Sequence, residues 1–303
     1  MRIDDLRRVL VIGLGTMGQE IALQCARFGF DVVCYDLDAE VGESCRGRLG
    51  TLVGQWVGAG LLPAADARRM LDRIRIEFEP AAAARQVDLL IECVPEIRRA
   101  KAEVFARFHE LCPPEAVFVT NASYLTPSML AKSTGRPELF AAFHFHDPVW
   151  VANVVDIMPH PGTAPATIEL LAAFAERIDQ IPIVCHKENH GYVFNSMLRS
   201  FLMTAIALAS DGVADVEDID RAWMGVMKTP IGPFGILDRI GLDTVYDIVQ
   251  YWTLVSKDPQ HAKSREFIKR LLDAGQLGLK SGHGFYRYPH PAFEQPGFLQ
   301  PGR

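Results

Sequence analysis

The six cysteines of this 303-residue chain form no C-x-x-C pair and have no histidines at metal-ligand spacing. That excludes a disulfide framework and a zinc module. Free, buried thiols in a reducing cytosol are the expectation, with no metal site. A basic block is also missing: 31 Lys and Arg face 37 Asp and Glu, for a formal charge of −6, which argues against a nucleic-acid partner. Apolar stretches are broken by charge, glycine or proline before reaching about 18 residues, so no membrane span is expected. The opening M-R-I-D-D-L-R-R has no apolar signal core, and a cytoplasmic protein is expected. Repeats are absent, and low complexity is confined to four alanines at 81–84.

What is present is organised around residues 9–36. Residues 9–12 read as a buried strand. Gly13, Gly15 and Gly18 follow at G-x-G-x-x-G spacing, residues 19–28 read as an amphipathic helix closed by Gly29, and the β-rich run 32–35 ends on Asp36. This is the order of a dinucleotide-binding βαβ unit. Gly13 makes the tight turn, Gly15 admits a pyrophosphate to the backbone, and Gly18 lets helix and strand pack closely. Thr16 and Met17 complete the loop. The phosphates then sit at a helix N-terminus, where unpaired N–H groups and the dipole favour anions. Asp36, 23 positions after Gly13, stands where a carboxylate accepts from ribose hydroxyls and repels a 2′-phosphate. NAD is expected over NADP. FAD could use the same unit, and the rest of the chain decides between them.

Residues 38–76 read as helical, with a break near 58–63, and carry Arg46, Arg48, Arg68, Arg69 and Arg73 on a solvated face. The alternative for these arginines is a wall that meets an anionic substrate handle. Residues 87–94 read as a strand, followed by Glu96 and a helix bearing Lys101. The strand 116–120 ends at Asn121 and Ser123, and the strand 139–145 ends in His144 and His146. Residues 154–158 and 183–185 read as two more strands. Polar residues thus collect at strand C-termini, the ligand edge of an open parallel sheet. Beyond residue 190 the spacing turns helical at 192–210, 216–227, 237–254 and 262–273, with one strand signal at 284–286. The expected fold is α/β: a Rossmann-type dinucleotide-binding domain over 1–186, then an all-helical domain over 187–303. The second half has many apolar faces for its size, so pairing with another copy is expected.

Four polar residues lie in apolar surroundings: Ser123, His144, Asp156 and Asn195. Singly, each has a structural explanation: a helix cap, a satisfied core histidine, a bridge between helices. Together, beside a dinucleotide unit, they point to a site. A carboxylate in a buried strand needs a partner, and histidine is the natural one, since a carboxylate fixes its tautomer and stabilises its charged form.

The stretches G-L-G-T-M-G at 13–18, T-N-A-S-Y-L at 120–125, H-F-H-D-P-V at 144–149 and G-Y-V-F-N-S-M-L at 191–198 carry a resemblance to a known family. So do I-G-P-F-G-I-L-D-R-I-G-L-D at 231–243 and K-S-G-H-G-F-Y at 280–286. Over nearly its whole length the chain resembles the L-3-hydroxyacyl-CoA dehydrogenase family. The resemblance implies NAD as cofactor, a homodimer built through the helical domain, a place in fatty acid metabolism, and reversible oxidation of a C3 alcohol to a ketone. By position, His144 resembles the catalytic base and Asp156 its acidic partner. Ser123 and Asn195 resemble two polar substrate contacts, acting as preorganised donors. Glu96, Lys101 and Asn121 fall near the cofactor.

The departures from the family are specific. Asp156 replaces the usual glutamate, and a displacement of about 1 Å can cost roughly 100-fold in rate. H-F-H-D-P replaces H-F-F-N-P, and Glu20 stands where glycine is common. No lysine cluster occupies 45–75, where the family meets coenzyme A phosphates. A short or polar 3-hydroxyacyl substrate is implied. The stretch 158–167 (M-P-H-P-G-T-A-P-A-T) is similar to the branch containing λ-crystallin and L-gulonate 3-dehydrogenase, and relatives beside polyketide pathways act on carrier-bound hydroxyacyl groups. Both remain open as substrates. A second hydroxyacid dehydrogenase family also begins G-L-G-x-M-G, but its catalytic lysine has no counterpart in 191–198. An NAD-binding structural or sensor protein without turnover is the alternative of another class.

Overall fold

Strand residues that are apolar on both faces build the interior of the first unit. Along β1 (Arg8–Ile12), Val9 and Val11 enter one core while Leu10 and Ile12 enter the other. That is the pattern of a sheet covered by helices on both sides. The computed structural model describes residues 2–256 and 258–300. After β1 come α1 (Thr16–Arg27), β2 (Asp31–Tyr35), α2 (Ala39–Gly58), α3 (Ala64–Asp72), β3 (Ile74–Glu77), α4 (Pro80–Ala83), β4 (Leu89–Glu92), α5 (Arg98–His109), β5 (Val117–Thr120), β6 (Phe140–Phe145), β7 (Val154–Met158), α6 (Pro165–Arg177) and β8 (Ile181–Val184). The sheet order is β3-β2-β1-β4-β5-β6-β7-β8. Its first six strands follow the doubly wound dinucleotide-binding order, which reverses direction between β1 and β4.

Three features correct the sequence expectations for this unit. Residues 74–77 are an edge strand pairing with β2, where helix was expected to run to 76; the I-R-I-E alternation is only four residues long. The sheet is mixed, since β7 runs antiparallel to β6. The last strand starts at Ile181, two residues before the predicted run. All six cysteines are free thiols, five of them buried. Among the described residues no helix is long and apolar enough to cross a membrane.

Two compact units divide at 193/194, against 186/187 read from the sequence. The residues after β8 stay with the sheet because Tyr192 packs with Ala142, Met158 and Cys185. The second unit consists of α7 (Phe194–Ser210), α8 (Val216–Met227), α9 (Pro233–Ile240), α10 (Leu242–Val255) and α11 (Gln260–Asp273) around a core that includes Ile206, Phe234, Leu237, Val249 and Ile268. The run predicted as one helix at 237–254 is broken at Gly241, which has φ +95°. Residues 284–286 form no strand; His283 makes isolated bridges to Gly278 and Arg287.

Two buried carboxylates hold this unit's closing segment. Asp238 accepts from the N–H groups of Phe285 and Tyr286 (both 2.9 Å) and from the Tyr288 hydroxyl (3.1 Å). A Cβ at Gly284 would overlap the Asp238 side chain, so the close approach requires glycine. Asp220 accepts from Phe234 N–H (2.8 Å) at the start of α9 and from the Tyr286 hydroxyl (2.8 Å). Asp238→Ala leaves buried N–H donors unpaired at about 1–3 kcal/mol each. Urea unfolding should therefore show a loss of roughly 3 kcal/mol. Lys263→Ala, which breaks the exposed pair with Asp211, should change stability by under about 1 kcal/mol.

Candidate functional site

The glycine loop divides its three glycines between two tasks. Gly13 has φ +93°, and a Cβ there would lie 2.6 Å from the Cys93 carbonyl carbon. A Cβ on Gly18 would overlap the Gly13 carbonyl oxygen. Both are demanded by the protein's own packing. Around Gly15, by contrast, nothing lies within 4 Å of a Cβ. Its missing side chain leaves room for something other than protein. Gly15 is the N-cap of α1, whose first turn, beginning at Thr16 and Met17, holds no acid, so its unpaired N–H groups suit an anion.

The loop is held from behind. Leu14 N–H donates to Asp36 Oδ2 (2.7 Å), and the Leu14 carbonyl accepts from Gln19 Nε2 (2.7 Å) and an Arg48 Nη (3.2 Å). Arg48 is solvent-exposed as expected, yet its guanidinium folds onto the loop. The other Asp36 oxygen accepts from Asp38 N–H (3.0 Å). Each carboxylate oxygen thus carries one backbone bond and keeps capacity for another donor. Open space at Gly15, a helix N-terminus and an acid ending β2 together fit a dinucleotide without a 2′-phosphate.

The ends of β4, β5 and β6 are tied to one another. Glu92 and Lys101 are 0% and 1% exposed. Lys101 Nζ donates to both Glu92 oxygens (2.8 and 3.0 Å) and to the Val94 carbonyl (2.9 Å). Glu92 also accepts from Thr120 Oγ1 (2.6 Å). Burial pushes the Glu92 carboxyl up, and Lys101 opposes the rise. Glu96 accepts from the N–H groups of Tyr124 (2.8 Å) and Leu125 (3.0 Å), and Asn121 Oδ1 accepts from Phe145 N–H (2.8 Å). All three residues expected beside a cofactor are therefore engaged in holding strand ends. The ammonium of Lys101 has its three hydrogens satisfied by protein.

Between β6 and β7 the register sets His144 directly opposite Asp156. His144 Nδ1 lies 3.4 Å from Asp156 Oδ2, and His144 Nε2 lies 3.1 Å from Ser123 Oγ in the loop after β5. His146 Nε2 lies 3.0 Å from the same Asp156 Oδ2. Both His144 (4% exposed) and Asp156 (1%) are buried. Burial pulls the His144 imidazole below its ordinary value, and the Asp156 hydrogen bond only partly offsets it. For Asp156, burial acts upward, but hydrogen bonds from His144 and His146 outweigh it and hold the carboxyl down. A neutral imidazole thus stands beside an ionised carboxylate. With Nδ1–H donating to Asp156, Nε2 keeps its lone pair, the arrangement of a general base.

Tyr192 completes the wall. Its ring stacks on His144 (centroids 4.6 Å apart, 6° between planes) and its hydroxyl donates to the Ala122 carbonyl (2.6 Å). The sequence reading passed over Tyr192, as it did Glu92, Gln19 and the loop contact of Arg48. Tyr192 lies in the quoted stretch at 191–198, and its φ of +51° is the backbone feature that sets it apart. The first unit therefore brings Ser123, His144 and Asp156 together. Asn195 belongs to the second unit, in the first turn of α7.

Glu20, singled out as a departure, is buried on α1 and accepts from Val149 N–H (2.9 Å). Burial raises its carboxyl to about 7, and the nearby Asp147 carboxylate adds to the rise.

Comparison with known proteins identifies the family. A family model described as the 3-hydroxyacyl-CoA dehydrogenase NAD-binding domain matches residues 8–189, and the same family's C-terminal domain model matches residues 191–288. The mitochondrial hydroxyacyl-coenzyme A dehydrogenase of Homo sapiens is 33% identical over 289 residues, covering 93% of this chain and 91% of that protein. A solved diketoreductase, described for substrate-directed dual catalysis of dicarbonyl compounds, superimposes with a TM-score of 0.86 at 36% identity, covering 93% of this chain and 99% of that one. The crystal structure of (S)-3-hydroxybutyryl-CoA dehydrogenase from Ralstonia eutropha gives a TM-score of 0.85 at 27% identity, covering 94% and 99%.

Two outcomes follow from the loop and from Glu20. Gly15→Ala should leave the melting temperature unchanged and weaken NADH binding at least tenfold by fluorescence titration, whereas Gly18→Ala should lower the melting temperature itself. Because the folded-state carboxyl of Glu20 is raised to about 7 from 4.5, its protonation supports the fold at low pH, and that support is lost as pH rises through 7. Glu20→Gln keeps a neutral acceptor for Val149. It should melt with the parent at pH 5 and higher at pH 8, by roughly 2–4 °C.

Proposed function

This chain belongs to the 3-hydroxyacyl-CoA dehydrogenase family and is an NAD-dependent oxidoreductase, and from that premise we propose that it interconverts a short or polar 3-hydroxyacyl thioester and its 3-keto form. The observation that carries this is the His144 imidazole, buried between the Asp156 carboxylate and the Ser123 hydroxyl at the sheet edge that also bears the glycine loop. NAD, when bound at the glycine loop and Asp36, supplies the hydride acceptor, and NADH the donor in the reverse direction. His144 Nε2 takes the proton of the C3 hydroxyl as the ketone forms and returns it on reduction. Asp156 holds the ring by Nδ1–H and stabilises the imidazolium that results. The Ser123 hydroxyl, already within hydrogen-bond reach of Nε2, shares its hydrogen bonding with the reacting oxygen.

A polar substrate is supported by His146 and by exposed Asp147 beside the site, and by the likeness to a diketoreductase described for dicarbonyl compounds. Carrier-bound thioesters and free acids of the L-gulonate kind are the other handles. A homodimer formed through the second unit belongs to the same proposal, supported by exposed Val226, Met227, Tyr251 and Leu254 there; so do a cytoplasmic location and a place in fatty acid metabolism.

The test is NADH absorbance with acetoacetyl-CoA, a carrier-bound 3-keto thioester and a free 3-keto acid. A thioester should be reduced fastest. His144→Ala should lower kcat by roughly 10²–10⁴-fold, the range for general acid–base catalysis, with NADH affinity unchanged. Tight NADH binding with no turnover on any of the three would make the protein a sensor instead.

A further inference from the structure

We propose that His146 is a positioning residue that makes the short acid Asp156 serviceable, so that the two departures form one coupled change. The proposal rests on His144 being the proton-transfer group. His144 and Asp156 face each other across an antiparallel pair, whose hydrogen bonds fix the backbone separation to within about 1 Å. The strands cannot close up to replace a missing methylene. The consequence is visible: Asp156 Oδ2 stands 3.4 Å from His144 Nδ1, beyond the roughly 2.7–2.9 Å of a strong charge-assisted bond.

That same oxygen lies 3.0 Å from His146 Nε2. His146 follows His144 by two residues at the end of β6, so both project to the same side, and their rings meet edge to face at 4.8 Å and 83°. A proton on His146 Nε2 makes it a donor to Oδ2. The donor then fixes the carboxylate rotamer, keeping Oδ2 turned toward His144 instead of swinging away. Phenylalanine, the family's usual residue here, has no such hydrogen, and the usual glutamate reaches the catalytic ring without help. Each departure is consistent only with the other.

A metal ion is the competing account of two histidines and an aspartate. Their ligand atoms spread over as much as 4.8 Å, whereas two nitrogens on one zinc ion lie no more than about 4.2 Å apart. The two hydrogen bonds account for the grouping as it stands.

The experiment is a cycle of the parent, His146→Phe, Asp156→Glu and the double variant, assayed by NADH oxidation with acetoacetyl-CoA. His146→Phe should lower kcat roughly 10- to 100-fold, the scale of a misplaced catalytic group, with the KM for NADH held within about twofold. Asp156→Glu alone should also lose activity, because the longer acid crowds His146. The double variant should recover to within about threefold of the parent, an interaction of the sign and size that only coupled residues show. His146→Gln, which keeps a donor, should stay close to the parent. Full activity in His146→Phe, or a double variant no better than its worse parent, overturns the proposal.

Imidazole ¹⁵N shifts provide a readout that needs no turnover. The parent should carry protons on His144 Nδ1 and His146 Nε2, and His146→Phe should shift the His144 resonances. A proton on His146 Nδ1 alone, or His144 resonances untouched by the variant, overturns the proposal even if no substrate is turned over. Absence of turnover beside the expected spectrum overturns the proposed 3-hydroxyacyl chemistry and leaves only the hydrogen-bond coupling of His146 to Asp156 and His144.

Discussion

The pairing of β6 with β7 is the constraint on which the site depends. The other sheet pairings are parallel, and parallel neighbours are joined by crossovers that put helices on the sheet faces. β7 and β8 instead run against the other six strands, so β7 returns directly alongside β6 and its residues face those of β6 across an antiparallel ladder. His144 and Asp156 occupy such a pair. Because His144 lies under the Tyr192 ring and behind Ser123, its imidazole is drier than any surface histidine. Burial pulls the imidazole below its ordinary value, while hydrogen bonds from both histidines hold the acid below its own. A base must hold a lone pair at rest and tolerate a proton in transit, and this arrangement supplies both.

The edge around that pair is stiffened by polar groups that never touch a substrate in this account. Glu92 and Lys101 form a buried ion pair whose bonds reach the Val94 backbone and Thr120, so β4 and β5 end in fixed relation. Asn121 locks β5 to the end of β6, and Glu96 holds the peptide just beyond Ser123. Breaking one partner of a buried ion pair costs several kcal/mol, whereas the intact pair adds little stability over an apolar one. What such a pair gives is placement. Ser123 sits on a loop, and a loop donor is useful only where its backbone cannot drift. In the second unit, Asp220 and Asp238 do comparable work, gathering the end of the chain onto α9.

Much of this was legible in the residues, for reasons that differ by element. The β1–α1–β2 unit was readable because glycine at 13, 15 and 18 leaves few alternative conformations, and strands buried on both faces give uninterrupted apolar runs. His144, Asp156 and Ser123 were readable because polar groups among apolar neighbours demand partners. β3 was not, because four residues at a sheet edge carry too short a period. Nor was the break at Gly241, because the apolar spacing continues across it and only the positive φ interrupts the helix. The roles of Lys101, Glu96 and Asn121 needed coordinates: a charge near a motif says nothing about which way it points. Tyr192 needed them too, since an aromatic residue entering a helical run is ordinarily core.

The departures from the family pattern are not scattered. Glu20 stands far in sequence from His146, Asp147 and Asp156, yet each of the four puts a polar group where the family usually has a smaller, less polar or longer one. An unpaired polar group in a dry site costs about 1–3 kcal/mol or more, so isolated changes of this kind would be selected against. Here both buried acids among the changed residues have partners. Asp156 accepts from His146, while Glu20 accepts from the backbone just past Asp147 and feels that carboxylate directly. One group links Asp156 to the end of β6, and the other links the first helix of the dinucleotide loop to the segment following that strand. Keeping each buried polar group partnered is what separates a rebuilt site from a decaying one. In a protein losing its chemistry, His144, Asp156 and Ser123 would have no reason to keep their alignment while the residues around them changed.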